Sequence, residues 1–212
     1  MRITVFGAAG NVGSRVVAEA LTRGHRVTAV LRDPARPHAL PAAAVIATGD
    51  AADPEDVARL SAGQDVVITA TRPAPGSESE LAVATKGLLA GLAGTGVRLL
   101  AVGGAGSLAL PGGNGATVLD DPEFPPSWRP IALACGEQLD LLRASAEVDW
   151  TYLSPAALLE PGERTGRYRL GRDELVVDAD GRSAISMEDL AVALVDEAER
   201  PAHRGLRFTV AY

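Results

Sequence analysis

Of the 20 Lys and Arg residues in this 212-residue chain only one, Lys86, is a lysine, and Cys135 is the only cysteine. A lone cysteine excludes an internal disulfide and argues against a metal cluster, so no metal site is expected. No run of 18 apolar residues is present, so no transmembrane helix is expected. The chain starts with a strand pattern rather than a charged region followed by an apolar segment, which gives no sign of a signal peptide. A cytoplasmic protein is the plain reading. The net charge is −7 and no basic stripe stands out, which disfavours nucleic acid as a partner. Internal repeats of short period, linkers and low-complexity tails are lacking. The length and the 47% apolar content suit one domain over residues 1–212 with a sizeable core.

What the chain does have is concentrated in residues 1–33. Arg2-Ile3-Thr4-Val5-Phe6 is a short run rich in β-branched residues and reads as a buried strand. Gly7-Ala8-Ala9-Gly10-Asn11-Val12-Gly13 follows at once. Apolar residues then recur at helical spacing at Val12, Val16 and Ala20, with Gly24 as a C-terminal stop. Arg26–Leu31 reads as a second strand. Strand, glycine turn, helix and strand in about 30 residues is the context that gives a dinucleotide-binding glycine motif its meaning. The spacing is G-x-x-G-x-x-G, because Ala9 and Val12 stand where G-x-G-x-x-G would need glycines. One glycine allows the tight turn, one lets backbone N–H groups approach a pyrophosphate, and the third lets helix and sheet pack closely. A tight turn with no ligand is the plainer alternative.

Arg32 ends the second strand, 19 residues after Gly13. An acidic residue there would bind a ribose 2′-OH and favour NAD, whereas an arginine pairs with a 2′-phosphate and favours NADP. Arg36 adds a second candidate cation, and Asp33 is one position late for the acidic role. The balance favours NADP(H) over NAD(H). Arg32 also reads as a solvated surface charge.

Further along, residues 43–47 suggest a third strand ending at Thr48-Gly49-Asp50. Asp53-Pro54 looks like the cap and first position of a short helix to about Leu60. Residues 65–71 form a strong fourth strand. Ser77-Glu78-Ser79-Glu80 has capping-box spacing for a helix to about Ala93. Residues 97–102 are a fifth strand. Gly103 to Pro126 has no periodic pattern, and a long loop leaving a central strand reads equally as a substrate cover or as a surface excursion. A helix over 129–146 and a sixth strand at Trp150–Leu153 follow, closed by Ser154-Pro155. Tyr168, Leu175–Val177 and Ala184-Ile185 suggest short strands, with Asp180-Gly181 as a hairpin turn. Ser186 and Asp189 cap a helix to Glu199, and residues 206–210 are a last strand. The alternation predicts an α/β fold: a Rossmann-type doubly wound parallel sheet of order 3-2-1-4-5-6, in a single domain with a small C-terminal substrate-side extension.

With Gly7, Gly10 and Gly13, Arg32, Thr48-Gly49-Asp50, Ala70-Thr71, Gly103-Gly104-Ala105-Gly106-Ser107 and Ser154-Pro155-Ala156 in place, the chain resembles the atypical short-chain dehydrogenases/reductases. It looks closest to the small NAD(P)H-binding proteins often labelled NADH-flavin reductases, related to biliverdin reductase B and the NmrA-like group. Leu153-Ser154-Pro155 and the run from Glu160 to Gly166 look typical of that subgroup. The resemblance implies a cofactor cradle of Gly7, Ala9, Gly10, Asn11, Val12 and Gly13. It implies Asp50 near the adenine amino group, and Ala70, Thr71 and Arg72 beside the ribose and nicotinamide half. It implies Gly103 and Gly104 on the nicotinamide face, with Pro155 and Ala156 at its carboxamide edge. Asp50 also reads as a turn residue and Thr71 as a strand end.

The chain departs from the family in one respect. Standard members use Tyr-x-x-x-Lys, the lysine lowering the tyrosine pKa for proton exchange with a carbonyl or alcohol. Here Lys86 has alanine at position 82, and Tyr152, Tyr168 and Tyr212 cannot complete the motif. Ser107 is the nearest hydroxyl to the family's catalytic serine and is the one catalytic candidate, although it is also a natural glycine-loop residue. Tyr168 reads as packed or as reaching the cleft. Tyr152, Trp150 and Cys135 read as core, and His25, His38 and His203 as structural or exposed. The expectation is an NADPH-dependent reductase passing hydride to a small-molecule acceptor that needs no strong protein acid, such as a flavin or quinone. The alternatives are a non-catalytic NADP(H)-binding sensor and a pathway-specific ketone or imine reductase. Membrane partners are not expected, and a homo-oligomer is compatible with the sequence.

Overall fold

The computed structural model describes residues 1–35 and 38–212, so the second cation suggested at Arg36 lies outside the described residues. The chain runs β1 (Arg2–Phe6), α1 (Asn11–Thr22), β2 (Arg26–Leu31), β3 (Val45–Thr48), α2 (Pro54–Ser61), β4 (Val66–Thr69), α3 (Glu80–Leu92) and β5 (Arg98–Val102). Then come α4 (Arg129–Ala144), β6 (Trp150–Ser154), β7 (Leu158–Glu160), β8 (Arg169–Gly171), β9 (Ala184–Ser186), α5 (Met187–Glu199) and β10 (Leu206–Ala211). The sheet order is β3-β2-β1-β4-β5-β6-β10-β8. The expected 3-2-1-4-5-6 order is present and parallel, and β10 extends it in parallel beside β6. The order reverses between β1 and β4, which is where open α/β sheets bind ligands. Phe6 is level with both Val30 and Thr69, so the C-terminal ends of β1, β2 and β4 stop on one line.

The central strands are apolar because both faces are covered. Ile3, Val5 and Ile68 pack with Val16, Val17 and Leu194 on the side of α1 and α5. Phe6, Val67 and Leu99 pack with Leu88, Leu92 and Leu139 on the side of α2, α3 and α4. Local signals set the helix ends. The Asp53 carboxylate accepts from the Glu55 N–H and Pro54 opens α2. Ser186 accepts from the Asp189 N–H to start α5. Gly24, at φ +80°, donates back to the Leu21 carbonyl to end α1.

Three local expectations are corrected. No side chain caps α3 as a capping box; the Glu78 carboxylate turns back to accept from the Gly76 N–H instead. Leu175–Val177 is not a strand, because Leu175 is drawn into a small separate core with Leu108 and Val118 beneath the long loop. The Asp180-Gly181 turn therefore joins no hairpin. Its N–H groups fold around the Asp178 carboxylate, while β9 pairs in parallel with β7, a strand the sequence did not signal. β8 is antiparallel to β10 at the sheet edge.

Buried charges tie the α1–α5 face to the C-terminal segment. Glu19 on α1 receives the guanidinium of Arg164 at 2.7 Å and that of Arg23 at 2.8 Å. Arg98 on β5 is paired with Glu197 on α5, which also takes His203 Nδ1 at 2.8 Å. The Arg164 hydrogen bond is the largest effect on Glu19 and holds its carboxyl below the ordinary 4.5. For Glu197 burial pushes upward, but the His203 and Arg98 hydrogen bonds outweigh it and the net shift is down.

Two outcomes follow for stability. A Cβ on Gly13 would lie 2.1 Å from the Gly7 carbonyl oxygen. Alanine gains about 1 kcal/mol in helix propensity there, yet forcing apart two backbones costs about 3 kcal/mol. Gly13→Ala should therefore lower the denaturation midpoint, and a urea titration measures it. Because Glu19 and Glu197 are depressed in the folded state, the stability they confer is complete above about pH 4.5. It is lost as pH falls through their lower folded values. Denaturation followed from pH 6 to pH 3 should show that loss, and Glu197→Gln should flatten it.

Candidate functional site

The C-terminal ends of the strands from β2 to β6 open into one cleft of about 1280 Å³. That exceeds the roughly 300–1,000 Å³ of ordinary small-molecule pockets and suits an extended ligand. Its middle is the turn after β1. Gly7 has φ +74°, and a Cβ on it would sit 2.6 Å from the Ala70 carbonyl oxygen, so only glycine fits. Gly10 is the N-cap of α1 and donates to the Gly7 carbonyl at 3.0 Å. Ala9, Gly10, Asn11 and Val12 all line the cleft. No side chain caps α1 and no acidic residue stands in its first turn, whereas α2 and α5 have both. The positive end of α1 is thus left bare where it meets the cleft, an arrangement that favours an anion.

At the β2–β3 end the lining includes Arg32, Asp33 and Asp50. Arg32 is 69% exposed, with its guanidinium 3.7 Å from the Glu80 carboxylate on α3. The Asp33 carboxylate is turned to the Ala35 N–H at 3.0 Å. Asp50 accepts from the Ala52 N–H at 2.9 Å, so it closes its own turn and lines the cleft as well.

Ala70, Thr71 and Arg72 line the stretch beyond β4, and the Thr71 hydroxyl is 3.1 Å from that of Thr69. At the β5–β6 end stand Gly103, Gly104, Pro155 and Ala156. Gly103 lies directly on a buried phenol: a Cβ there would meet the Tyr152 ring at 1.8 Å. The Tyr152 hydroxyl donates to the Cys135 carbonyl at 2.8 Å, and burial keeps it neutral by raising its pKa.

Two predicted residues are not part of the lining. Gly13 acts behind the cradle, as the close-packing glycine of α1. Ser107, the catalytic candidate, gives its hydroxyl to structure: it accepts from the guanidinium of the buried Arg207 at 2.9 Å. Tyr168 is also spent elsewhere, donating to Asp196 at 2.5 Å.

Other lining residues were missed. Cys135, read as core, lines the cleft, and burial pushes its thiol up to about 11. Phe124, Pro125, Trp128 and Ile131 form an apolar wall beside it. An aromatic pair in a stretch with no periodic pattern was the available signal. Trp128 is 49% exposed and Val83 on α3 54% exposed, large apolar surfaces left open inside a cleft. Glu80 was read only as a cap. The 103–126 segment is a wall of the cleft, folded on its own small core.

A glycine turn at the switch point, a bare helix start and a long cleft define a dinucleotide-binding α/β protein. The chain belongs to the NAD(P)H-binding family, whose model matches residues 7–201. It is 40% identical over 217 residues to the uncharacterized protein YwnB of Bacillus subtilis (strain 168), covering 99% of this chain and 98% of that protein. A Burkholderia pseudomallei structure, provisionally described as an exported protein, superposes with TM-score 0.90 at 41% identity and full coverage of both chains. A Streptococcus pneumoniae structure, provisionally named an NADH-flavin reductase, gives TM-score 0.88 at 34% identity, covering 100% of this chain and 99% of that one. Among the described residues no helix is long and apolar enough to cross a membrane.

The cradle makes a direct expectation. Gly10 has φ −74° and ψ 169°, which a β-branched residue tolerates, and its Cβ would be 3.2 Å from the Gly7 oxygen. Gly10→Val should fold but lose NAD(P)H binding, since the side chain would occupy the pyrophosphate approach. Circular dichroism and cofactor titration together check this.

Proposed function

We propose that this chain is an NADPH-preferring reductase that passes hydride to a flavin, a quinone or a similar planar acceptor. The observation that carries the reading is the β5–β6 end of the cleft. It combines an exposed aromatic wall with backbone glycines, and no tyrosine, lysine or histidine is among the described residues lining it. Such a wall stacks a flat ring, and without a Tyr–Lys pair there the family's usual proton exchange with a carbonyl has no agent. Acceptors that take their proton from water fit this; an unactivated ketone does not. NADPH, when bound, supplies the hydride. The chain's own contribution is placement. The Gly7–Val12 turn and the start of α1 would hold the diphosphate, Arg32 the 2′-phosphate, and Gly103, Gly104, Pro155 and Ala156 the nicotinamide. Trp128 and Phe124 would align the acceptor, and such positioning lowers a transfer barrier substantially.

The test is NADPH oxidation against flavins, quinones and carbonyls. Turnover with the first two classes supports the reading; cofactor binding with no turnover on any acceptor would make the chain a sensor instead. Ser107→Ala should lower turnover less than tenfold, because its hydroxyl serves Arg207. A thousandfold loss at unchanged NADPH affinity would restore proton-transfer chemistry.

Cofactor choice has its own test. Charge-assisted bonds contribute about 1.5–3 kcal/mol, so Arg32→Ala should weaken NADPH by roughly ten- to a hundredfold and leave NADH nearly unchanged. Glu80 competes with the phosphate for the same guanidinium. Glu80→Gln should therefore tighten NADPH by about two- to fivefold, with the gain shrinking as salt rises. Equal losses for both cofactors in Arg32→Ala would mean that Arg32 does not read the phosphate.

A further inference from the structure

We infer that the acceptor is uncharged, and that the cleft selects an unphosphorylated isoalloxazine or a neutral quinone over a flavin phosphate. This rests on the reductase reading above and specifies its substrate class. The aromatic wall at Phe124 and Trp128 would take the planar ring, and the charges around that wall decide what the ring can carry. Asp121 and Glu123 stand on the loop that supplies Phe124, and Glu160 ends β7; all three line the cleft. The Asp121 carboxylate is fixed by the Glu123 N–H at 2.8 Å. Arg72 is the one cation lining this end among the described residues.

A second cation, Arg129, is not among the residues lining the cleft but stands beside its wall. It donates to the Leu119 carbonyl at 2.9 Å and its guanidinium lies 5.8 Å from the centre of the Phe124 ring. Three carboxylates against two guanidinium groups, Arg72 and Arg129, still leave this end negative before any ligand arrives. The dinucleotide then adds its own phosphates to the same cleft. Like charges sharing a partly desolvated cleft repel. A phosphate on the acceptor would meet that field, whereas a ribityl hydroxyl chain or a bare quinone would not.

Riboflavin and FMN share one ring and differ by one phosphate, so they isolate the effect. With saturating NADPH and low salt, kcat/KM for riboflavin should exceed that for FMN by about tenfold. Raising salt should narrow the ratio. The Asp121→Asn, Glu123→Gln double variant should narrow it too, by accelerating FMN rather than slowing riboflavin. FMN equal to or better than riboflavin in the wild type would overturn the inference and make Arg72 a phosphate reader. An unchanged ratio in the double variant would overturn it as well. A protein that binds NADPH but reduces no flavin and no quinone would instead sink the reductase reading, and the two failures are distinguishable.

Discussion

The carbonyl oxygen of Gly7 is where several backbones of the site meet. It accepts the Gly10 N–H at 3.0 Å, and the backbone of Gly13 passes so close that a methyl group there would sit 2.1 Å away. Gly7 in turn abuts the carbonyl of Ala70 at the end of β4. One strand end, one turn, one helix and the neighbouring strand end therefore meet with no side chain between them. This contact fixes where α1 begins relative to the sheet. The bare helix start, the Arg32 and Asp50 turns on one side and the Gly103-Gly104 turn on the other all take their spacing from it.

The outer side of the α1–α5 layer needs a different kind of restraint. The segment after β7 has little apolar surface of its own to bury, and it is held by carboxylates instead. Glu188 accepts from the Gly162 N–H at 2.8 Å, Asp189 from the Gly166 N–H at 2.7 Å and from the Tyr212 hydroxyl at 2.8 Å, and Glu19 from Arg164. Each carboxylate stands on α1 or α5, which cover the same side of the sheet. Breaking one member of such a set leaves a charge without its partner, which costs more than a surface pair would. Met187, the first residue of α5, lines the cleft, so this restraint reaches the site through one helix.

The sheet order was legible because each central strand is a run of apolar residues followed by glycine, proline or an N-cap, and these are local signals. The cofactor half was legible for the same reason: Gly7, Arg32, Ala70 and Gly103 each follow directly on a strand, and Gly10 and Asp50 come within four residues of one. What was lost depended on distant partners. β7 has its pairing from β9, 26 residues on, and nothing within Leu158–Glu160 announces it. Leu175–Val177 has strand composition but is taken by the loop's own core. Ser107 looked like a catalytic hydroxyl until a guanidinium 100 residues later claimed it. Cys135 and Trp128 reach the cleft through the placement of α4, which helical periodicity alone does not reveal.

Cys135 has a further consequence. Reduced flavins and hydroquinones hand electrons to dioxygen and release peroxide at the place where they form. Peroxide oxidises thiolates first, and each step beyond sulfenic acid is hard to reverse. The chain's one thiol lines the cleft where such a product would appear, yet burial keeps it protonated, with a pKa of about 11. Desolvation, usually counted as a cost of packing, here shields the sulfur from the by-product of the proposed turnover.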